Sequence, residues 1–415
     1  MTTTKNNEHK KLNFSSEREQ SQACLNSAEH EKNQGRKVLN VPNLRFPEFQ
    51  GEWEEERLAD IADLYKGTGI SKDQLSDDGE PCILYGELYT KYKSETIREV
   101  ISKTNIDNTK LVRSKANDVI IPCSGETAED IATARCVLNG NILLGGDLNI
   151  IRLHGYDGAF MSYQLNGRRK YDIAKVAQGV SVVHLYGEHL KGVKTINPCL
   201  EEQKKIASLL ALLDERITTQ NKIIEDLKKL KSAISKKLLC NDKWTTYKIQ
   251  DIAEIGRGRV ISSVEIDRQK HPLYPVYSSQ TSNNGIMGYL DNYMFDGEYI
   301  TWTTDGANAG TVFYRKGKFN CTNVCGTLKI LPKFDCYFVS LVLQQATQKY
   351  VSSNLANPKL MNNTMASIKI RMPNIETQKQ LSKVFQTLDS CLLVHQRTCK
   401  MYLSEKQYLL RQMFI

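Results

Sequence analysis

Apolar residues recur with the spacing of a coiled coil along the stretch from Leu200 to Leu239, which contains neither glycine nor proline. Alternate steps of four and three residues pass through Ile206, Leu210, Leu213, Ile217, Gln220, Ile224, Leu227, Lys231, Ile234 and Leu238. Only Gln220 and Lys231 interrupt this apolar series. An average spacing of ~3.5 residues is typical of a helix that packs on a second helix along one seam. The pattern therefore predicts a long coiled-coil helix over residues 199–240.

The same pattern returns 175 residues further along the chain. The second series is Leu381, Phe385, Leu388, Leu392, His395, Cys399, Tyr402, Lys406, Leu409 and Met413. His395 stands at the position of Gln220, and Lys406 at the position of Lys231, so the polar interruptions coincide as well. Two unrelated amphipathic helices would not be expected to share their interruptions. The chain therefore contains one unit twice, and a second coiled-coil helix is predicted over residues 374–415.

The segments that precede the two helices begin alike, since Trp53 and Trp244 each lead into an Asp-Ile-Ala run. Short apolar runs separated by Gly, Asn and Asp then predict strands, and longer runs predict helices at 160–176 and 337–351. We predict an α/β (α+β) fold with two similar mixed domains, over 41–198 and 241–373, each followed by its long helix. Residues 1–40 are polar and without periodicity, which predicts a disordered tail.

The link between the two halves restricts how the helices can pair. Only three residues, Asn241 to Lys243, separate the first helix from Trp244. A helix of ~40 residues is ~60 Å long, so the second domain must begin at the far end of the first helix. Antiparallel pairing within the chain then supplies both seams with a partner, in a pseudo-two-fold arrangement of two domains separated by a coiled coil. Gln220 and His395 either face each other and fix the register or are tolerated interruptions.

Composition narrows the class of protein. The 415 residues are 40% hydrophobic and 25% charged, as in soluble globular proteins, and no apolar run is long enough to span a membrane. The polar N-terminus is unlike a secretory signal, so we expect a cytoplasmic protein. The net charge of +9 permits nucleic-acid binding without requiring it. The 11 cysteines are irregularly spaced, so we expect reduced core residues and no metal site.

Motifs of the common catalytic classes are missing from the sequence. It holds no Asn/Asp-Pro-Pro-aromatic motif of adenine methyltransferases, no phosphate-binding or dinucleotide-binding loop and no H-E-x-x-H zinc motif. Ser124 stands outside the G-x-S-x-G setting of a nucleophile elbow. A nuclease built from scattered acidic residues is an alternative that magnesium-dependent cleavage by the chain alone would support. We expect a binding protein with no catalytic residues and no cofactor of its own.

A rigid spacer between two similar but non-identical domains suits a two-part, asymmetric DNA site. Duplex DNA presents its major groove on one side every ~34–36 Å, so two domains can read two half-sites and ignore the bases between them. Because the two domains differ in sequence, their half-sites should differ as well.

From about residue 41 to its end, the chain resembles the DNA specificity subunit of type I restriction–modification systems. The motifs that carry the resemblance are Pro198-Cys-Leu-Glu-Glu-Gln and Pro373-Asn-Ile-Glu-Thr-Gln at the helix starts, together with Tyr274-Pro-Val-Tyr, Asn357-Pro-Lys-Leu and Ser124-Gly-Glu-Thr. The resemblance implies two target recognition domains for double-stranded DNA. It also implies a coiled coil that docks two adenine-N6 methyltransferase subunits, with two restriction (motor-nuclease) subunits added outside. Chemistry then belongs to these partners, which use S-adenosylmethionine, or ATP with Mg²⁺.

Base reading is expected from polar loop side chains, and affinity from lysine and arginine on phosphates. The candidate base-reading residues are Ser278, Ser279, Gln280, Asn283, Asn284, Thr303, Thr304 and Asn308 in the second domain, and Thr68, Tyr89, Ser124, Glu126, Thr127 and His184 in the first. The candidate phosphate contacts are Lys66, Lys91, Lys93, Arg257, Arg259, Arg315, Lys316, Lys318 and Lys359. We prefer Gln280, Asn283 and Asn284, because carboxamides can pair bidentately with adenine.

Two plainer explanations compete with these hypotheses. Polar loops and basic surface residues also occur wherever a chain turns or meets water. The chain as a whole would also suit an adaptor that bridges two protein partners through its coiled coil without reading DNA. Salt-sensitive, sequence-specific DNA binding by the assembled complex discriminates between the adaptor and the DNA-reading protein.

Overall fold

The structure is a computed structural model that describes residues 39–107, 109–179, 182–239, 241–352 and 357–415. The predicted disordered tail lies outside the described residues up to position 38. Contacts divide the chain into unit 1, which runs to Leu212 and includes Glu405–Ile415, and unit 2, Leu213–Ser404. This division falls within the long helices, whereas the predicted boundaries keep each helix whole. In the ranges given above, no helix combines the length and apolar character needed to cross a membrane.

Unit 1 is a mixed α/β domain. Its strands are β1 (Glu54–Arg57), β2 (Ala62–Lys66), β3 (Leu75–Ser76), β4 (Glu80–Ile83), β5 (Thr96–Ile97), β6 (Ser102–Thr104), β7 (Asp118–Pro122), β8 (Ser124–Gly125), β9 (Arg135–Val137), β10 (Leu143–Leu144), β11 (Leu148–Leu153), β12 (Val183–His184) and β13 (Lys194–Asn197). Its helices are α1 (Leu58–Ile61), α2 (Glu87–Thr90), α3 (Ala128–Ile131), α4 (Gly158–Asn166), α5 (Lys170–Val176), α6 (Gly187–Leu190) and the start of α7 (Leu200–Leu238). Gly167 ends α4, so the helix predicted over 160–176 is two helices.

Unit 2 repeats this plan with fewer strands. The strands are β14 (Thr245–Lys248), β15 (Ala253–Arg257), β16 (Tyr274–Tyr277), β17 (Ile286–Leu290), β18 (Glu298–Thr303), β19 (Val312–Lys316), β20 (Asn320–Cys321), β21 (Cys325–Ile330) and β22 (Lys369–Met372). The helices are α8 (Ser263–Asp267), α9 (Cys336–Ala346), α10 (Asn362–Ser367) and α11 (Ile375–Gln412), whose end belongs to unit 1.

The main sheets of the two units share one order over four strands. The order is β2-β11-β7-β9 in unit 1, where β5 adds a fifth strand, and β15-β21-β18-β19 in unit 2. A second, smaller sheet accompanies each, β10-β4-β6-β3 in unit 1 and β17-β16-β20 in unit 2. The entry strand of each domain pairs antiparallel with its exit strand, β1 with β13 and β14 with β22. The predicted mixed α/β fold and its internal repeat are therefore confirmed.

The repeated tryptophans occupy matching places in the two cores. Trp53 meets Phe160 of α4 edge-on at 5.9 Å and an interplanar angle of 66°. Trp244 meets Phe338 of α9 edge-on at 5.9 Å and 63°. Because an edge-to-face pair buries a large apolar area with defined geometry, each contact fixes the start of its domain against the helix that covers the sheet.

A buried glutamine fastens the start of each long helix to its own unit. The Gln203 side chain donates to the Pro198 carbonyl at 2.8 Å and accepts from the backbone N–H of Asp157 at 2.9 Å. The Gln378 side chain donates to the Pro373 carbonyl at 2.8 Å and accepts from the backbone N–H of Asp335 at 3.0 Å. Both glutamines are 1% exposed. The glutamine of each proline-led motif is thus a clamp between helix and domain.

The two long helices pair antiparallel within unit 2. The side chains of Gln220 and His395, at equivalent positions of the repeat, are hydrogen-bonded at 2.7 Å. Lys231 forms an ion pair with Asp389. Positions rise along α7 as they fall along α11, so the predicted intramolecular antiparallel pairing is confirmed. Of the two alternatives for the polar interruptions, Gln220 and His395 do face each other.

The seam also contributes to the domain cores. Ile206, Leu210, Leu213, Ile224 and Phe385 are buried, and Ile217, Leu227, Leu381, Leu388, Leu392 and Leu409 are half-buried. Ile206 and Leu210 pack in the core of unit 1 with Met413 near the end of α11. Phe385 packs in the core of unit 2 with Leu239. Each helix is therefore anchored in a domain by the same apolar series that pairs it with the other helix.

Replacing His395 with leucine is expected to lower the free energy of unfolding by about 1 kcal/mol, because the half-buried Gln220 amide loses its hydrogen-bond partner. The double variant Q220L/H395L removes both polar groups and should be more stable than H395L. Chemical denaturation of the full chain measures both changes. A single H395L variant more stable than wild type would show that the pair is not a net stabilising contact.

Candidate functional site

The two predicted polar loops of unit 2 line one cavity of about 470 Å³. Ser278, Ser279 and Gln280 come from the loop between β16 and β17, and Asn308 comes from the loop after β18. Amide and hydroxyl groups from the two loops therefore converge. Such groups can hydrogen-bond to base edges.

The loop between β16 and β17 has an unusual backbone. Asn283 and Asn284 lie at φ 47° and 53°, in the left-handed region that asparagine tolerates better than most residues. The loop closes where the Ser278 N–H donates to the Gly285 carbonyl at 2.9 Å. Both asparagines are exposed at the loop tip, outside the cavity lining, while Gln280 donates to the Ile286 carbonyl. The Asn283 amide donates to the same carbonyl at 3.5 Å, so Gln280 and Asn283 are both partly committed within the protein.

The carboxylate of Asp305, in the wall of this cavity, lies close to two of the predicted phosphate-binding residues. Asp305 lies 3.9 Å from both Arg257 and Lys359 and accepts from the Thr304 hydroxyl at 2.6 Å. Two cations facing one carboxylate leave a net positive charge at this edge. A DNA phosphate could therefore be attracted there without removal of the acid.

Three residues of unit 2 occupy positions other than the predicted ones. Thr303 and Thr304, expected on a loop, are 1% and 0% exposed, because Thr303 ends a central strand and Thr304 exchanges backbone hydrogen bonds with neighbouring segments. Arg315, expected on the surface, is 3% exposed. The prediction that these three side chains lie on the surface is therefore wrong. In this conformation they are buried and cannot contact a ligand.

The three remaining basic candidates of unit 2 are exposed and have partners. Arg259 pairs with Glu265, and the hydrogen bond between them raises the pKa of Arg259 and lowers that of Glu265. Lys316 pairs with Glu298 at 3.1 Å. The Lys318 ammonium lies 4.4 Å over the Tyr293 ring. Each of the three would have to share or exchange its partner to bind a phosphate.

Unit 1 has a larger cavity, of about 740 Å³, lined by residues from the loop after β7 and from α2. Its wall contains four of the predicted base-reading and phosphate-binding residues, which are Tyr89, Lys93, Ser124 and Glu126. The Tyr89 hydroxyl donates to the Ser124 carbonyl at 3.0 Å, and burial raises the pKa of this phenol. Lys93 donates to the Tyr89 carbonyl at 2.7 Å. The predicted residues of two separate segments are therefore brought together here as well.

Other candidates of unit 1 have structural partners away from this wall. Lys91 bridges to the buried Glu87 at 2.7 Å, and Lys66 lies 4.0 Å from Asp147. The Thr68 hydroxyl accepts from the backbone N–H of Val112 at 3.0 Å. Thr127 is the N-cap of α3. These contacts account for the side chains locally, and their contact with DNA stays a prediction.

The two cavities lie at equivalent places in the repeat. Their loops follow β7 and β18, which hold the same position in the strand order. Ser124 pairs with His184 across a short antiparallel ladder, and Asp305 pairs with Lys359 across an antiparallel bridge. His184 and Lys359 are separated by 359 − 184 = 175 residues, the offset of the two helices. The histidine and the lysine are thus counterparts, one in each domain.

Several wall residues were missed by the sequence reasoning. Thr322, Asn323 and Val324 line the cavity of unit 2, and Asp130 and Arg135 line that of unit 1. Thr322 to Val324 connect β20 with β21, a position that local sequence does not mark as facing the other loops. The flanking Cys325 is buried, which raises the pKa of its thiol to about 11. Among the described residues, no group of three or more His, Cys, Asp or Glu side chains could hold a metal ion.

Comparison with known proteins supplies the family. The profile of the type I restriction modification DNA specificity domain matches twice, at residues 50–229 and 241–400. A type I specificity subunit N-terminal protein of Mycoplasma pneumoniae is 46% identical over 147 residues, which are 34% of this chain and 76% of that protein. A second type I specificity subunit of Mycoplasma pneumoniae is 38% identical over 190 residues, 45% of this chain and 79% of that protein.

The fold agrees with these sequence matches. The crystal structure of the S subunit of a type I restriction–modification system from M. genitalium aligns with a TM-score of 0.69 at 18% identity, over 90% of this chain and 99% of that one. The two profile matches together cover more than half of the chain, one in each half of the repeat. The chain belongs to the family of type I restriction–modification DNA specificity subunits.

Proposed function

We propose that each unit of this specificity subunit reads one half of a two-part, asymmetric DNA target, and that the chain itself carries out no catalysis. Bases would be read at the two loop-lined cavities, with phosphates held by the basic residues around them. The adaptor alternative, without DNA reading, is not favoured by the family to which the chain belongs.

The observation that carries the proposal is a pair of equivalent cavities with different walls. In unit 1 the wall holds a phenol, a lysine and carboxylates, at Tyr89, Lys93, Glu126 and Asp130. In unit 2 it is rich in hydroxyl and amide groups. Because G·C and A·T pairs differ in the donors and acceptors of their base edges, two such walls would favour different base sequences. An asymmetric target follows.

Partner subunits would supply the chemistry of the complex. We propose that two adenine-N6 methyltransferase subunits, using S-adenosylmethionine, dock on the long helices, and that two restriction subunits, using ATP and Mg²⁺, add outside them. Apolar side chains exposed on the helices support this docking: Leu393, Val394 and Met401 are 46%, 58% and 68% exposed. A protein partner that covers such side chains gains free energy from their burial.

The proposal is tested by expressing the full chain with an adenine-N6 methyltransferase partner and mapping methylated adenines across the host genome. The expected result is one two-part sequence with dissimilar halves. Exchanging residues 244–373 for another recognition domain should change one half and leave the other intact. Loss of both halves after this exchange would contradict independent reading by the two units.

The adaptor alternative is tested by DNA binding of the same co-purified complex at several salt concentrations. DNA reading predicts a preference for the mapped sequence, with affinity that falls as salt rises because phosphate contacts release counterions. Absence of any sequence preference at every salt concentration would refute the proposed function and leave the adaptor.

A further inference from the structure

Arg315 of β19 is a buried arginine held between two aromatic rings. Its guanidinium carbon lies 3.6 Å from the centre of the Tyr277 ring and 4.4 Å from that of Phe313. The Nε group donates to the Thr301 hydroxyl at 3.2 Å. A planar guanidinium can stack on both rings at once, which the compact ammonium of lysine cannot do. The surroundings of Arg315 are therefore fitted to its shape.

Burial of this cation has a cost that calls for an explanation. Within the described ranges, no ion pair joins Arg315 to a carboxylate, and burial lowers the pKa of its guanidinium. A buried charge without a counter-ion is unfavourable, and an apolar side chain would fill the same space without this cost. The presence of an arginine at this position therefore points to a role for its charged end, which an apolar side chain could not fill.

The far end of Arg315 lies under the Ser278–Gly285 loop. A Cβ atom added to Gly285 would lie 3.1 Å from Arg315 Nη2, and Gly285 itself is at φ +81°. The same residue closes the loop by accepting from Ser278. The guanidinium thus lies next to the closing residue of the loop, directly after the two asparagines of positive φ.

We propose that Arg315 is a positioning residue, which fixes the shape of the Ser278–Gly285 loop from below and thereby sets which bases unit 2 prefers. This inference rests on the proposed function and deepens it. Arg315 itself contacts no base. Its stacked guanidinium supports a backbone that lies in the left-handed region at Asn283 and Asn284, and such a conformation persists only where its surroundings determine it.

The test is selection of DNA from a pool randomised in both half-sites, by the full chain co-purified with its methyltransferase partner. Wild type is compared with R315M, which fills the space between the rings without stacking a planar cation. Lys329→Met is the matched control, because Lys329 is exposed on β21 of the same sheet and is not a candidate DNA contact. R315M is expected to lose about tenfold of the base preference in the half-site of unit 2, with the other half-site unchanged. K329M should keep both preferences.

Each outcome decides between distinct hypotheses. A wild-type complex that selects a two-part sequence while R315M selects the same sequence equally well overturns the inference alone. A wild-type complex that selects no sequence overturns the proposed function, and the inference with it. If R315M does not fold, R315K is used instead, since lysine keeps the positive charge but cannot stack a planar group on both rings. Unchanged preference in R315K would overturn the inference, and a loss confined to the half-site of unit 2 would support it.

Discussion

Replacing Arg45 with methionine is expected to lower the free energy of unfolding by about 3 kcal/mol. Arg45 donates through Nε and Nη2 to the two carboxylate oxygens of Glu202, each at 2.8 Å, and the Glu202 side chain is 0% exposed. Removing the arginine leaves a buried carboxylate with neither its charge partner nor its two hydrogen bonds. Arg45 also donates to the carbonyls of Gln50 and Gly51, so the segment before Trp53 would loosen as well.

Denaturant unfolding followed by tryptophan fluorescence measures this loss. Lys205→Met is the control, because Lys205 and its partner Glu48 are both about half exposed and such pairs contribute less than about 1 kcal/mol. In the double variant R45M/E202L no charge stays buried, and most of the stability should return. A loss in R45M no larger than that in K205M would mean that the Arg45–Glu202 pair does not hold the N-terminal segment to α7.

Gly326→Ala is expected to destabilise unit 2 by about 3 kcal/mol, near the upper range for overpacking a core. Gly326 of β21 lies opposite Trp302 of β18, and a Cβ at Gly326 would lie 2.1 Å from the indole ring. The ring cannot swing away easily, since it is 1% exposed and its Nε1 donates to the Leu360 carbonyl at 2.9 Å. Either the indole hydrogen bond or the strand pairing must give way.

The same denaturant experiment, with a matched glycine, separates this clash from the general effect of alanine. Gly69→Ala adds a methyl group where nothing lies within 4 Å, so its effect should be small. The double variant W302L/G326A gives the new methyl group room, and it should be less destabilised than the sum of the two single changes. Additive losses would show that the ring and the methyl group do not collide.

The repeat and the helix pairing could be predicted because they depend on patterns within each segment. Trp53 and Trp244 mark the two domain starts, and the shared interruptions at Gln220 and His395 place the helices in register. These features need only the periodicity of a helix and the likeness of the two halves. The order of the strands in the sheets was not accessible in this way, because the pairing of β11 with both β2 and β7 joins segments that are distant in sequence.

The sequence allowed us to predict which loops form the candidate site, but not how the residues beneath them pack. Polar composition identified the Ser278–Gly285 loop and the segment around Asn308, and the structure brings both to one cavity. The burial of Arg315 could not be foreseen, since a basic residue at the end of a strand ordinarily faces water. It depends on the rings of Tyr277 and Phe313, which come from different sheets. Tertiary packing of this kind leaves no trace in local periodicity.

The glutamine clamps make the junction of domain and helix stiff. A proline followed by a helix could act as a hinge, but Gln203 ties α7 to the residue that caps α4, and Gln378 ties α11 to the residue that caps α9. Torque applied along either helix would therefore be transmitted to its domain instead of being absorbed at the proline. A protein that binds and rotates the helices would therefore also reorient the surface that each domain presents, through the hydrogen bonds of these two amides.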